Sequence, residues 1–189
     1  GVAVDHPDYL ALSILNHIFG GQFTARLNMN LRQDKGYSYG YRSWIEWHEQ
    51  SSLILTGGGV QTNVTKESVE ETVKEFQGIT GAREITQEEF IASKEALMRQ
   101  FPASFETNGQ VLDHLAQLVY FDLPDDYYNT YTERIDSITL DQVQAAARKH
   151  LKSDSLMILV VGDREQVEPE LRKLNLPLFF VNHQVELVD

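Results

Sequence analysis

Leu10, Ile14, Leu15, Ile18 and Phe19 recur at helical spacing until Gly20-Gly21 interrupts the run. That pattern predicts an amphipathic helix with its apolar stripe on a core. Asp5-His6-Pro7 reads as the entry, with Asp5 as N-cap and Pro7 in the first turn. Thr24 reads as the cap of a second, short helix through Leu27 and Leu31 to about Lys35. Gly36 then ends it, since glycine takes the left-handed conformation at least cost. Past Gly36 the period changes to two. Tyr39, Tyr41, Ile45 and Trp47 alternate with Gly40, Arg42 and Glu46, and residues 52–60 carry Leu53-Ile54-Leu55. Residues 39–47 and 52–60 therefore read as two strands of a hairpin. Trp44 and Trp47 have opposite parity, which sends one to the core and leaves the other exposed.

The remainder is mostly helical. Thr65 opens a helix with Val69, Val73 and Phe76 on one face. Thr86 and Glu89 form a capping box before a helix to about Phe101, where Pro102 breaks or kinks it. Helices are predicted over 110–121, 125–135 and 139–150, the last with a Thr139/Gln142 box. The apolar run 155–161 reads as a strand buried inside the sheet. A helix over 164–174, with Pro169 inside it, and a strand over 178–188 complete the pattern. Strands and helices come in runs rather than in alternation, which indicates an α+β fold. A chain of 189 residues is expected to be one domain, or at most two small ones, and is long enough to bury a full core. Gly57-Gly58-Gly59 marks a bulge or a close backbone approach, because no Lys-Ser/Thr follows to make a phosphate loop.

Composition narrows the partners. The net charge is −12, from 28 acidic and 16 basic side chains, which argues against nucleic acid and anionic membranes. No apolar run approaches the roughly 20 residues of a membrane span. There is no cysteine, so disulfides and thiolate metal sites are excluded. The opening Gly1-Val2-Ala3-Val4 has no initiator Met and no visible signal peptide. The chain is therefore expected to be a piece of a longer protein, with the compartment, periplasmic or cytoplasmic, left open.

None of the six histidines stands in a His-x-x-Glu-His spacing, which places two zinc ligands and a general base on one helix face. His183 has Glu186 three on, but Leu187 follows. His48-Glu49 begins the reverse zinc order, but Ser52 stands where the second His belongs. No metal site is expected in this chain, and no Gly-x-Ser-x-Gly elbow is present.

The segments Phe19-Gly20-Gly21-Gln22-Phe23-Thr24-Ala25-Arg26-Leu27 and Leu31-Arg32-Gln33-Asp34-Lys35-Gly36-Tyr37-Ser38-Tyr39 carry a longer pattern. It resembles the insulinase/pitrilysin family of zinc peptidases, and within that family the half that lacks the metal. There the pattern is Leu-Gly-Gly, Ser-Arg-Leu, then Leu-Arg-Glu-x-x-Gly-Leu-Ala-Tyr. Gln33 and Tyr37-Ser38 depart from it, but neither departure touches the family's substrate-binding Arg and Tyr, which fall on Arg32 and Tyr39. The resemblance implies an antiparallel sheet with helices packed on one side, and a strand before the first helix that is missing here or cut to Val2–Val4. It implies a non-catalytic, substrate-binding half that closes a chamber with a homologous catalytic half, fused or separate. Peptide is the implied substrate, and zinc the cofactor of the other half. This chain alone is then no enzyme, whereas the paired protein is a zinc metallopeptidase. Arg26 is expected to be structural, in an ion pair or as a charge on the helix surface. The alternative is a structural or assembly subunit that shares the fold without a peptidase role.

Overall fold

A computed structural model describes residues 1–184 and 186–188. The first amphipathic segment forms α1 (Tyr9–Asn16), which continues as a π-helical turn (His17–Gly21). Its stripe is buried as the spacing requires: Ile14, Leu15, Ile18 and Phe19 lie at the centre of the core. The Phe19 ring meets Phe76 edge-on at 4.8 Å. Each such side chain contributes about 1.5–3 kcal/mol by leaving water. The entry differs from expectation. Asp8, not Asp5, precedes the helix, and its side chain makes no cap. Its carboxylate instead accepts from Lys149 Nζ and His150 Nε2, both at 2.8 Å. That ties the start of α1 to a segment some 140 residues further along the chain.

The second helix, α2 (Arg26–Asn28), also continues as a π-helical turn (Met29–Asp34). Ala25 rather than Thr24 is its N-cap. The hairpin follows as β1 (Arg42–Trp47) and β2 (Ser52–Gly57), antiparallel from Arg42↔Gly57 to Trp47↔Ser52. A single bridge between Ser38 and Val60 extends it. Trp47 packs on Tyr9 with ring centroids 4.6 Å apart, while Trp44 is exposed, so parity assigns the two tryptophans as read. Within the glycine triplet, Gly58 is the close approach: a Cβ there would lie 2.3 Å from the Gly40 carbonyl oxygen.

Helices make up most of the rest. α3 (Thr65–Ile79) lays Phe76 and Ile79 on the core. α4 (Gln87–Ala103) starts with the Thr86/Glu89 capping box and holds Pro102 in its last turn. α5 (Asn108–Tyr120) has a Thr107/Gln110 box. The helix expected over 125–135 is shorter, α6 (Tyr131–Ser137). Pro124 and Asp126 instead accept turn bonds from Tyr127 and Asn129. α7 (Leu140–His150) has its Thr139/Gln142 box and packs on α1. α8 (Arg164–Leu171) continues as a 3-10 turn (Arg172–Leu174).

Two strand readings need correction. Residues 155–161 are not a buried strand. They form neither helix nor strand, with Met157 98% and Val161 91% exposed. Among the described residues no strand pairs with them. A groove of about 290 Å³, floored by Val69, Val73 and Phe76, separates them from Thr56 and Gly58 at the end of β2. An apolar run becomes a central strand only where strands flank it. The expected strand over 178–188 is a small hairpin, β3 (Phe180–Val181) with β4 (Leu187–Val188). Val185 lies outside the described residues. The architecture is α+β, a small antiparallel sheet against helices. No described helix is long and apolar enough to cross a membrane.

Candidate functional site

The π-helical end of α2 sets the geometry. Leu27 and Leu31 are fully buried and anchor the segment. Gly36 has φ +67°, with nothing within 4 Å of a Cβ built there, so its backbone conformation and not space demands glycine. Tyr37 N donates to the Leu31 carbonyl at 2.8 Å. This closure reaches one residue further back than the 6→1 bond of an α-helical Schellman motif, as the wider π turn requires. Gln61 Nε2 donates to the Gly36 carbonyl at 2.9 Å.

Arg32 lies in this turn with its guanidinium carbon 4.6 Å from the centroid of the Phe23 ring. Among the described residues it has no hydrogen bond and no ion pair. Other arginines are committed: Arg26, Arg83, Arg99 and Arg148 each pair with a glutamate. Tyr39 is 96% exposed and its hydroxyl has no partner among the described residues. Among the described residues no hydrogen bond or cation–π contact joins Arg32 and Tyr39, which flank the Gly36 turn along the chain. Ser38 fixes the backbone flanking Tyr39: its hydroxyl lies 2.7 Å from the Gly59 carbonyl oxygen and accepts from Gly40 N at 3.1 Å.

Two residues that sequence reasoning passed over hold this arrangement. Asn28 is buried, donates from Nδ2 to the Phe23 carbonyl at 2.7 Å, and accepts from Tyr41 N through Oδ1 at 3.1 Å. It joins the loop carrying Phe23 to the start of the strand after Tyr39. The available signal is a polar residue on a buried face, next to Leu27. Phe23 is the other, an exposed aromatic whose ring contact is Arg32. Tyr41 is half-buried with its hydroxyl 3.0 Å from Thr72 Oγ1, and burial raises its pKa.

Arg26 is structural, as expected. It holds Glu89 through two bonds, Nε–Oε1 at 2.7 Å and a terminal nitrogen to Oε2 at 2.6 Å, and donates to the carbonyls of Arg83 and Glu84. Burial opposes ionisation of Glu89, but the Arg26 bonds and the Thr86 amide hold its carboxyl below the usual range.

Zinc does not fit the described residues. Among the described residues no group of three His, Asp or Glu surrounds a common point. His17 is buried with both ring nitrogens unpartnered, and desolvation lowers its pKa. His150 is bound to Asp8. His114 lies 2.9 Å from Ser104 Oγ but stacks on Phe105, and among the described residues no carboxylate orients it.

Comparison with known proteins identifies the family. The sequence profile of the peptidase M16 inactive domain matches residues 1–97, and the chain belongs to that family, as the insulinase/pitrilysin resemblance implied. An uncharacterized zinc protease, YmxG, of Bacillus subtilis is 24% identical over 160 residues, 85% of this chain and 39% of that protein. A Helicobacter pylori protein described as a non-peptidase homolog, YmxG, is 22% identical over 164 residues, 84% of this chain and 37% of its own length. The chain thus spans well under half of these relatives. Among solved structures, a peptidase M16 inactive domain from Pseudomonas fluorescens superposes with a TM-score of 0.70 at 26% identity, over 82% of this chain and 37% of that one. A chain of complex III2 from Candida albicans shares the fold alone, at 13% identity and a TM-score of 0.67, over 79% of this chain and 37% of that one.

Proposed function

We propose that residues 1–189 form one domain, the non-catalytic half of a two-part zinc metallopeptidase, which closes the chamber and contacts peptide substrate through Arg32 and Tyr39. The observation that carries this reading is that both residues stand at the family's motif positions while neither has a hydrogen bond or ion pair among the described residues. Arg32 offers a planar fork of N–H donors to a peptide carbonyl or carboxylate. The Tyr39 hydroxyl donates to the carbonyl oxygen as negative charge develops on it. Donors fixed in advance and screened from water by closure lower the barrier without chemistry of their own. Zinc and the general-base glutamate belong to the homologous partner half. The unpaired 156–161 run beside the β2 groove supports a sheet completed by a strand outside this chain.

The test is turnover of the reassembled two-half protein. One charge-assisted bond contributes about 1.5–3 kcal/mol, so Arg32→Ala is expected to slow turnover by about 10- to 150-fold. Tyr39→Phe should slow it as well, with zinc content unchanged in both. Wild-type turnover in both variants sinks the assignment. A second reading, an assembly or structural subunit, is favoured by the non-peptidase description of the Helicobacter pylori relative. It predicts no zinc-dependent peptide cleavage by the whole protein.

A further inference from the structure

We propose that Phe23 is a positioning residue for Arg32, and that their stack selects carboxylate-bearing peptides over uncharged ones. The inference rests on the reading of Arg32 as a substrate contact and adds to it. Phe23 is 51% exposed, an apolar ring that folding leaves half in water. Its backbone is nonetheless fixed: its carbonyl accepts from buried Asn28, and Ala25 N closes the turn on the Gln22 carbonyl at 3.2 Å. Among the described residues the charged group over the ring is Arg32.

A long arginine side chain at a surface samples many rotamers, and ordering it weakens any bond it makes. Stacking on an aromatic face removes part of that freedom before a ligand arrives. A guanidinium held over a ring face by its carbon keeps N–H donors free to meet a ligand away from the ring. Two parallel donors match the two oxygens of a carboxylate, whereas a single carbonyl uses one of them. No glutamate or aspartate among the described residues takes that place on Arg32, whereas Arg26 holds Glu89 through two bonds. The carboxylate can be a peptide's free C-terminus or an acidic side chain, and the probes below separate the two.

The experiment uses the 189-residue chain labelled with 15N, the variants Phe23→Leu and Phe23→Tyr, and three N-acetylated alanine tetrapeptides. One has a free C-terminus, one a C-terminal amide, and one a C-terminal amide with an internal Asp. The Arg32 Nε–Hε signal, assigned through Arg32→Lys, reports order by relaxation and ring stacking by its shift. Order and ring shift are expected in the wild type and Phe23→Tyr, and lost in Phe23→Leu. Either carboxylate probe is expected to move the signal and to bind about two- to fivefold more weakly to Phe23→Leu, the scale of a surface cation–π contact. The amide probe should bind weakly to all forms. An Arg32 signal equally ordered in Phe23→Leu overturns the positioning role. Equal binding of amide and carboxylate probes, or no binding by any, overturns the carboxylate selection. Arg32 order is read without a catalytic half, so its failure is distinct from a failure of the turnover test.

Discussion

Asn28 accepts a hydrogen bond from the Tyr41 amide at 3.1 Å while its own amide group holds the Phe23 carbonyl. One buried side chain thus spans the loop before α2 and the strand after Tyr39. Asn28→Ala leaves both backbone groups without their partner. A stability loss of about 1–3 kcal/mol is expected, read as a lower urea midpoint at unchanged slope. Asn28→Asp can still accept from Tyr41 but cannot donate to Phe23, so it should also destabilise. A midpoint for Asn28→Ala within error of wild type refutes this.

Gly36 controls the angle between Arg32 and Tyr39. Its positive φ costs an L residue about 1–2 kcal/mol, so Gly36→Ala should lower stability by that amount. Gly36→Asn should cost less, because asparagine tolerates the left-handed region. Equal thermal midpoints for all three proteins would show that the turn is not constrained as described.

Within the glycine triplet the effects should be unequal. Gly58→Ala places a methyl 2.3 Å from the Gly40 carbonyl, whereas Gly57 and Gly59 face open space. Forcing the backbones apart costs about 1–3 kcal/mol, against about 0.5 kcal/mol or less at the two open positions. Chemical denaturation of the three single variants checks the ranking, and similar losses at all three contradict it.

Acid should loosen the α1–α7 junction. Bonds from His150 and then Lys149 hold the Asp8 carboxyl below its ordinary value of 3.8. A depressed carboxylate contributes stability that is complete above the unfolded value and is lost as pH falls through the folded one. Asp8→Asn removes that contribution, so its stability should change less than wild type's as pH drops from about 5 toward 2. Parallel curves for the two proteins in pH-dependent denaturation would rule out Asp8 as a source of acid sensitivity.

Features set by a few neighbouring residues were legible in the sequence. The Thr86/Glu89 and Thr139/Gln142 boxes need only their own helical turn, and both form. The helix end at Gly36 and the parity of Trp44 and Trp47 are local in the same sense. What failed depends on distant partners. Asp5 and Thr24 looked like caps, but Asp8 is drawn to α7 and α2 starts from Ala25 in extended backbone. The 155–161 run has the composition of a central strand, yet composition cannot supply flanking strands. At the candidate site, Arg32 and Tyr39 were marked out by their motif. Asn28 and Phe23 were not, because their roles lie in backbone bonds and a ring contact that no periodicity encodes.

The bare 156–161 run has a consequence for how these residues behave in solution. Leu156-Met157-Ile158-Leu159-Val160-Val161 contains no proline and no charge, the composition that stacks into intermolecular sheets. Against this stands the −12 net charge, which keeps molecules apart until ions screen it. A preparation of these residues should therefore stay monodisperse in dilute buffer and self-associate as salt is raised, opposite to the salting-in familiar for most acidic proteins. A charged residue in place of Leu159 should abolish that drift without disturbing the core.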